Sequence, residues 1–214
     1  MPKLSVHALS VSLDGFVAGP DQDLEHPLGV GGRDLHEWVF ETRSGREMMG
    51  GEGGTTGLDH EIVAAGFDNI GATIMGRNMF GPVRGPWPDD EWKGWWGPNP
   101  VYHHDVFVLT HHPRADLVME GGTTFHFTDA PLAEVRERAL AAADGRNVRL
   151  GGGASTVRQF MRAGLVDEVQ YTVAPVLLGA GEPLFDPSED LTDRYRCTRF
   201  APSERVVHVV LTRI

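Results

Sequence analysis

Three consecutive glycines, Gly151, Gly152 and Gly153, stand between a short alternating run, Val148-Arg149-Leu150, and a segment with helical spacing over residues 155–163. Glycine weakens the interior of a strand or a helix, so the triplet reads as the turn between one and the other. Such a turn lets backbone approach a phosphate closely, and the unpaired amides of the helix start supply donors and positive potential. The same residues also make an ordinary tight connection with Ser155 as helix cap, and the triplet alone does not separate these readings. Both require a strand feeding directly into a helix, which points to an α/β layered fold.

The rest of the chain carries the same alternation. Residues 4–13 form a period-two run with Leu4, Val6 and Ala8 on one face, which slips before an Asp14-Gly15 turn and predicts the first strand. Residues 20–57 are irregular and hold nine of the 27 glycines, with one short helix expected at 35–40. A loop of that length in a compact domain is either functional or disordered. A helix is predicted at 59–67, a strand at 72–75 running into Gly76-Arg77-Asn78, and a wholly apolar strand at 106–110. Short strands at 117–119 and 125–127 flank Gly121-Gly122. Thr128 or Asp129 caps a helix that Asp144-Gly145 stops, and Pro131 is tolerated in its first turn. Another strand covers 168–174, and 195–200 with 205–213 read as an antiparallel hairpin. No linker or repeat divides the chain. The expectation is a single domain over 1–214 with a doubly wound, mainly parallel sheet and an antiparallel C-terminal hairpin.

Charge and cysteine usage narrow the function. The 19 basic against 30 acidic residues give 19 − 30 = −11, and a field of that sign repels phosphate backbones and anionic lipid. A nucleic-acid or membrane role is therefore not expected. The one cysteine, Cys197, excludes an internal disulfide and a multi-cysteine zinc site, and a reducing cytoplasm fits best. Adjacent histidines on an extended segment point to opposite sides, so His103-His104 and His111-His112 each offer one ligand at most, and no metal is expected. No Gly-Lys dipeptide exists, which removes the nucleotide-triphosphate P-loop; the esterase elbow is absent too. Thr156 stands where the usual dinucleotide fingerprint needs glycine. Asp167-Glu168 opens the next strand, whereas a ribose-binding acid sits at a strand's carboxyl end.

Gly151 to Thr156, Gly76-Arg77-Asn78 and Thr110-His111-His112 each follow the carboxyl end of a predicted strand. Each alone is commonly a turn, a cap or a solvated group. Together they converge on one edge of the sheet, where ligands of open α/β sheets bind. Four of the five tryptophans, Trp87, Trp92, Trp95 and Trp96, fall in the aperiodic stretch 81–100. They suit a lid over a planar substrate, a contact with a second copy of the chain, or a satellite core under a loop.

These motifs resemble the dihydrofolate reductase superfamily, in particular stand-alone relatives of the reductase domain of bifunctional riboflavin-biosynthesis deaminase-reductases. The matching pieces are S-L-D-G-F-V-A-G at 12–19, A-T-I-M-G-R-N-M-F at 72–80, V-F-V-L-T-H-H-P at 106–113, V-R-L-G-G-G-A-S-T at 148–156 and G-L-V-D-E-V-Q-Y-T-V-A-P-V-L-L-G-A-G at 164–181. The resemblance implies hydride transfer from NADPH to a small planar pyrimidine, pterin or flavin-like substrate. It implies that Gly151, Gly152, Gly153, Ala154, Ser155 and Thr156 hold the pyrophosphate. Gly76, Arg77 and Asn78 would meet the phosphates from the other side, and Thr110 with His111 the 2′-phosphate. Backbone near Ser10 and Ala18 would lie along the nicotinamide. The zinc-binding deaminase half has no counterpart here, so deamination is not expected. Folate-reducing members carry a carboxylate near the helix before the G-R strand; ungapped spacing puts His60 nearest, with Asp59 and Glu61 beside it. Asp59, otherwise an ordinary cap, and Asp14, otherwise a turn residue, are the catalytic candidates. The rival readings are a non-catalytic nucleotide- or flavin-binding module of the same fold and, more distantly, a metal-dependent hydrolase.

Overall fold

The computed structural model describes residues 1–81, 85–186, 188 and 191–214. In chain order the strands are β1 (Leu4–Val11), β2 (Phe16–Ala18), β3 (Ile70–Gly76), β4 (Asp105–Leu109), β5 (Leu117–Val118), β6 (Thr124–Thr128), β7 (Asn147–Leu150), β8 (Glu168–Val173), β9 (Glu182–Pro183), β10 (Tyr195–Pro202) and β11 (Val207–Arg213). The helices are α1 (Glu37–Phe40), α2 (Arg43–Met48), α3 (Leu58–Ala65), α4 (Arg77–Phe80), α5 (Leu132–Ala142) and α6 (Ala154–Arg162). Among these residues nine strands form one sheet in the order β10-β11-β8-β1-β7-β3-β4-β6-β5, and β2 pairs with β9.

The six strands from β8 to β6 are parallel, while β11 runs antiparallel to β8 and to β10. The expected fold class is thus the one observed, with a further antiparallel strand, β5, on the far edge. β3 is buried at all seven positions, as a strand covered on both faces must be. On one face Val135 and Ala139 of α5 and Val157, Phe160 and Met161 of α6 pack against Leu4, Val6, Ile74, Val148 and Leu150. On the other, α3 joins Leu35, Trp38 and Val206. No helix among the described residues is long and apolar enough to cross a membrane.

The slip in the first strand is a β-bulge. The register of β1 against β8 shifts between Val6 and Leu9, Ala8 sits at φ 53°, and its amide donates to Gln170 Oε1 at 2.5 Å. The bulge re-aims His7, Ala8 and Leu9 at the end of the sheet.

Four local expectations are corrected. The glycine-rich segment 20–57 carries a 3-10 turn (Gly32–His36), α1 and α2, more than one short helix. Gly45 lies inside α2, where its amide donates to Thr42 Oγ1, the N-cap. α5 starts from Pro131 without a side-chain cap, because Thr128 Oγ1 already accepts the amide of Ala130. Gly153, and not Ser155, is the N-cap of α6. Asp59 does not cap α3, whose N-cap is Gly57. Asp167, set aside as a ribose ligand, accepts from Leu4 N and Arg213, a structural role at the strand's start.

Residues 82–84 of the tryptophan-rich stretch lie outside the described residues. Trp87, Trp92 and Trp96 pack on a second core of Phe80, Tyr102, Val108, Phe125 and Phe127. This favours the satellite-core reading, although Trp95 and Trp96 also reach a cleft.

Candidate active site

A cleft of about 1030 Å³ opens at the carboxyl ends of β1, β3, β4 and β7. All twelve cofactor-binding candidates line it: Ala18, Gly76, Arg77, Asn78, Thr110, His111, Gly151, Gly152, Gly153, Ala154, Ser155 and Thr156. Residues separated by more than 100 positions meet here because β3, β4 and β7 are parallel neighbours whose following turns emerge on one edge.

The glycine turn is fixed against β3. Gly151 N donates to Ile74 O at 2.8 Å, and Gly76 N donates to Gly152 O at 3.0 Å. A Cβ on Gly76 would stand 2.4 Å from Thr156 Oγ1, so only glycine lets the end of β3 cross the first turn of α6. No side chain caps α6, which leaves its first amides facing the cleft as anion donors.

Arg77 lies against Trp87, its Cζ 3.6 Å from the ring centroid, and donates to Gly85 O. Its Nε and Nη2 are buried without a partner among the described residues. Burial, with Arg114 nearby, lowers its pKa. Thr110 is buried; its Oγ1 accepts from His112 N at 3.1 Å, and His111 beside it is exposed.

The other end of the cleft is bounded by His7, Ala8, His36, Val39, Val63 and Phe67. Burial holds both His7 and His36 near a pKa of about 4, with the Arg149 charge adding to the effect on His7. Both imidazoles are therefore neutral near pH 7. Ser10 is fully buried and does not line the cleft; it accepts from Trp38 Nε1 at 3.0 Å and lies 3.4 Å from His36 Nδ1.

The two carboxylates expected to be catalytic are not brought to the cleft. Asp14 ties the β1–β2 turn to the following loop by accepting from Leu178 N and Gly179 N at 3.1 and 2.6 Å. The Ser12 hydroxyl and those amides hold its pKa near 2. Asp59 Oδ1 lies 2.7 Å from Nε2 of the buried His208. From there a chain of contacts runs back to the bulge. His208 Nδ1 is 2.9 Å from Thr172 Oγ1, Gln170 Nε2 donates to Thr172 Oγ1 at 3.2 Å, and Gln170 Oε1 accepts from Ala8 N. Every donor in this chain can point the same way, from Ala8 toward the Asp59 carboxylate, so no buried group is left unsatisfied. Asp59 is thus joined by these contacts to the bulge of β1 that borders the cleft. His60 accepts from Ser44 N at 3.3 Å and meets its hydroxyl at 3.0 Å.

His7, His36 and Arg149 are cleft residues that the sequence reading did not single out. The available signal was a histidine and an arginine inside otherwise apolar alternating runs. Of the histidine pairs, His103 meets Gly121 O and His104 meets Thr73 Oγ1, while His111 and His112 line the cleft.

The family model of the RibD C-terminal domain matches residues 5–209. The uncharacterized protein YwjB of Bacillus subtilis is 27% identical over 185 residues, covering 86% of this chain and 84% of its own. A candidate riboflavin biosynthesis protein from Shewanella sp. PV-4 superposes with a TM-score of 0.61 at 20% identity, over 100% of this chain and 99% of its own. A pyrimidine reductase-like protein from Corynebacterium diphtheriae does so with a TM-score of 0.56 at 15% identity, over 100% and 92%. At these identities the two structures establish the fold.

Proposed function

The chain belongs to the RibD C-terminal domain family, and from that premise we propose that it is an NADPH-dependent reductase of a small planar nitrogen heterocycle, a pyrimidine or a fused pterin or flavin-like ring. The observation that carries this reading is the convergence of all twelve nominated residues on one cleft.

The cleft suits the cofactor on its own chemistry. The Gly76 to Thr156 crossing leaves no room for a Cβ, α6 presents uncapped amides, and Arg77 has two buried nitrogens without partners among the described residues. When bound, NADPH would supply a hydride, and with it the electron pair, that reduces a ring C=N or C=O. The backbone of Gly151 to Thr156 would bind the pyrophosphate, with Gly76, Arg77 and Asn78 opposite it, and Thr110 and His111 would meet the 2′-phosphate. Ala18 and the bulge at Ala8 would bound the reacting end.

The remaining proton is best drawn from solvent. His7 and His36, neutral near pH 7, orient substrate through N–H groups and carry no acidic proton to transfer. Asp59 is a positioning residue that holds the bulge, and Asp14 a brace for the neighbouring loop. One feature favours the second reading, a binding module without turnover: the carboxylates lining the cleft are Asp129 and Glu182, the latter 3.9 Å from Arg158.

The test is a screen of pyrimidines, pterins and flavins that follows NADPH absorbance with purified protein. Oxidation dependent on one ring class supports the reductase. Tight NADPH binding with no oxidation by any class supports the binding module.

A further inference from the structure

β7 alternates across the sheet. Val148 and Leu150 enter the main core, and Arg149 projects from the opposite face, level with Thr73 of β3. Its guanidinium lies 4.5 Å from the Phe67 ring centroid, and both side chains line the cleft. Nε is buried without a partner, and no hydrogen bond or ion pair engages Arg149 among the described residues. The titratable groups that interact with it are His7, His104 and Tyr102, and none of them is a carboxylate. Burial lowers the pKa of Arg149, yet a guanidinium stays protonated under any ordinary condition.

A chain with 30 acidic residues has placed none of them on this charge. Gly151 follows two residues later on the same face, so Arg149 lies beneath the floor of the cleft, away from the first turn of α6. A buried, unpaired cation is unfavourable until an anion meets it. The Phe67 ring lies beside the guanidinium in the lining of the cleft. A planar fork of this kind matches a carboxylate in two parallel hydrogen bonds.

We propose that Arg149 is a substrate-specificity residue, and that the ring bound in this cleft carries a carboxylate which the Arg149 guanidinium receives beside Phe67. The position of the substrate rests on the reductase reading; the anion preference rests on Arg149 alone.

The experiment is calorimetric titration of pterin and of pterin-6-carboxylate into wild type, Arg149→Gln and Arg149→Lys, with an NADPH titration of each protein alongside. Wild type is expected to bind the carboxylate at least about tenfold more tightly than pterin, the scale of one charge-assisted hydrogen bond. Arg149→Gln should level the two affinities and leave NADPH affinity within about twofold. Arg149→Lys, which keeps the charge without the fork, should retain part of the preference.

Equal binding of the two compounds by wild type overturns the assignment, as does failure of the carboxylate to bind. So does an undiminished ratio in Arg149→Gln, or a loss of NADPH affinity in its place, which would put the guanidinium on the cofactor. Should Arg149→Gln not fold, the wild-type ratio and Arg149→Lys still decide. If NADPH binds none of the proteins while the carboxylate preference persists, the reductase reading fails and the Arg149 assignment stands.

Discussion

The carboxylate of Asp59 stands 2.7 Å from Nε2 of His208, a side chain with no exposed surface, and the imidazole passes the contact to Thr172 at 2.9 Å. Through Gln170 that line ends on the amide of Ala8, whose bulge borders the cleft. A carboxylate 149 residues away from its partner is thus linked to the bulge of the first strand.

The Asp59 relay separates positioning from proton donation. Asp59→Asn keeps an oxygen that can accept from His208, so turnover should stay within a few-fold and NADPH affinity should not change. Asp59→Ala leaves the His208 nitrogen unsatisfied and should cost about 1–3 kcal/mol of stability, read by urea unfolding, together with a fall in turnover as the bulge relaxes. A loss of a hundredfold or more in Asp59→Asn with the fold intact would make the carboxylate itself the donor.

Within the glycine triplet the informative position is Gly153. Gly152 sits at φ 117°, so a side chain there strains the backbone and confuses folding with binding. Gly153 has φ −56° and ψ 176°, and a Cβ built on it meets nothing within 4 Å. Gly153→Val should therefore keep the thermal midpoint within a few degrees while lowering NADPH affinity at least tenfold, because the added methyls occupy the space before the α6 amides. Unchanged affinity in a folded Gly153→Val protein would reduce the triplet to a turn.

Acid stability should report the buried histidines. His7 and His36 are held at about 4 against an ordinary 6.5. Between those values the unfolded chain binds the extra protons, so the stabilisation is complete above about pH 6.5 and is lost as pH falls toward 4. Each group contributes up to about 1.4 kcal/mol per pH unit across that window. Urea unfolding from neutral to acid pH should show this slope, and His36→Phe should flatten it. An identical slope in wild type and variant would mean that His36 titrates normally.

Much of this arrangement was legible in the sequence because it rests on local backbone demands. Gly151 to Gly153, Gly76 and the strand ends beside them announce where chain must turn and where amides are left unpaired, and parallel topology then brings those ends together. The polar residues inside strands were not legible. His7 and Arg149 look like the solvent side of half-buried strands, and only the packing of α3 over that face makes them interior. Asp59 looks like a cap because helix starts favour aspartate, and its partner lies on a strand from the other end of the chain. Gly45 hid a helix that a threonine cap, and not propensity, establishes.

Arg77 should strengthen binding of the pyrophosphate that both dinucleotides share. Two of its nitrogens, without partners among the described residues, are buried beside Trp87 at the cleft edge, and one charge-assisted contact corresponds to about 1.5–3 kcal/mol. Arg77→Gln should lose about tenfold in affinity for NADPH and for NADH alike. A loss confined to NADPH would place Arg77 on the 2′-phosphate instead.

The most direct test of the whole account is a tryptophan-fluorescence titration with NADPH and with NADH, since Trp95 and Trp96 line the same cleft as the glycine turn. The account requires saturable quenching by NADPH below roughly 1 mM, the upper range of ordinary enzyme–ligand constants, with NADH at least about tenfold weaker. Quenching by neither dinucleotide, in protein shown to be folded, would contradict the assignment of this cleft to a reductase.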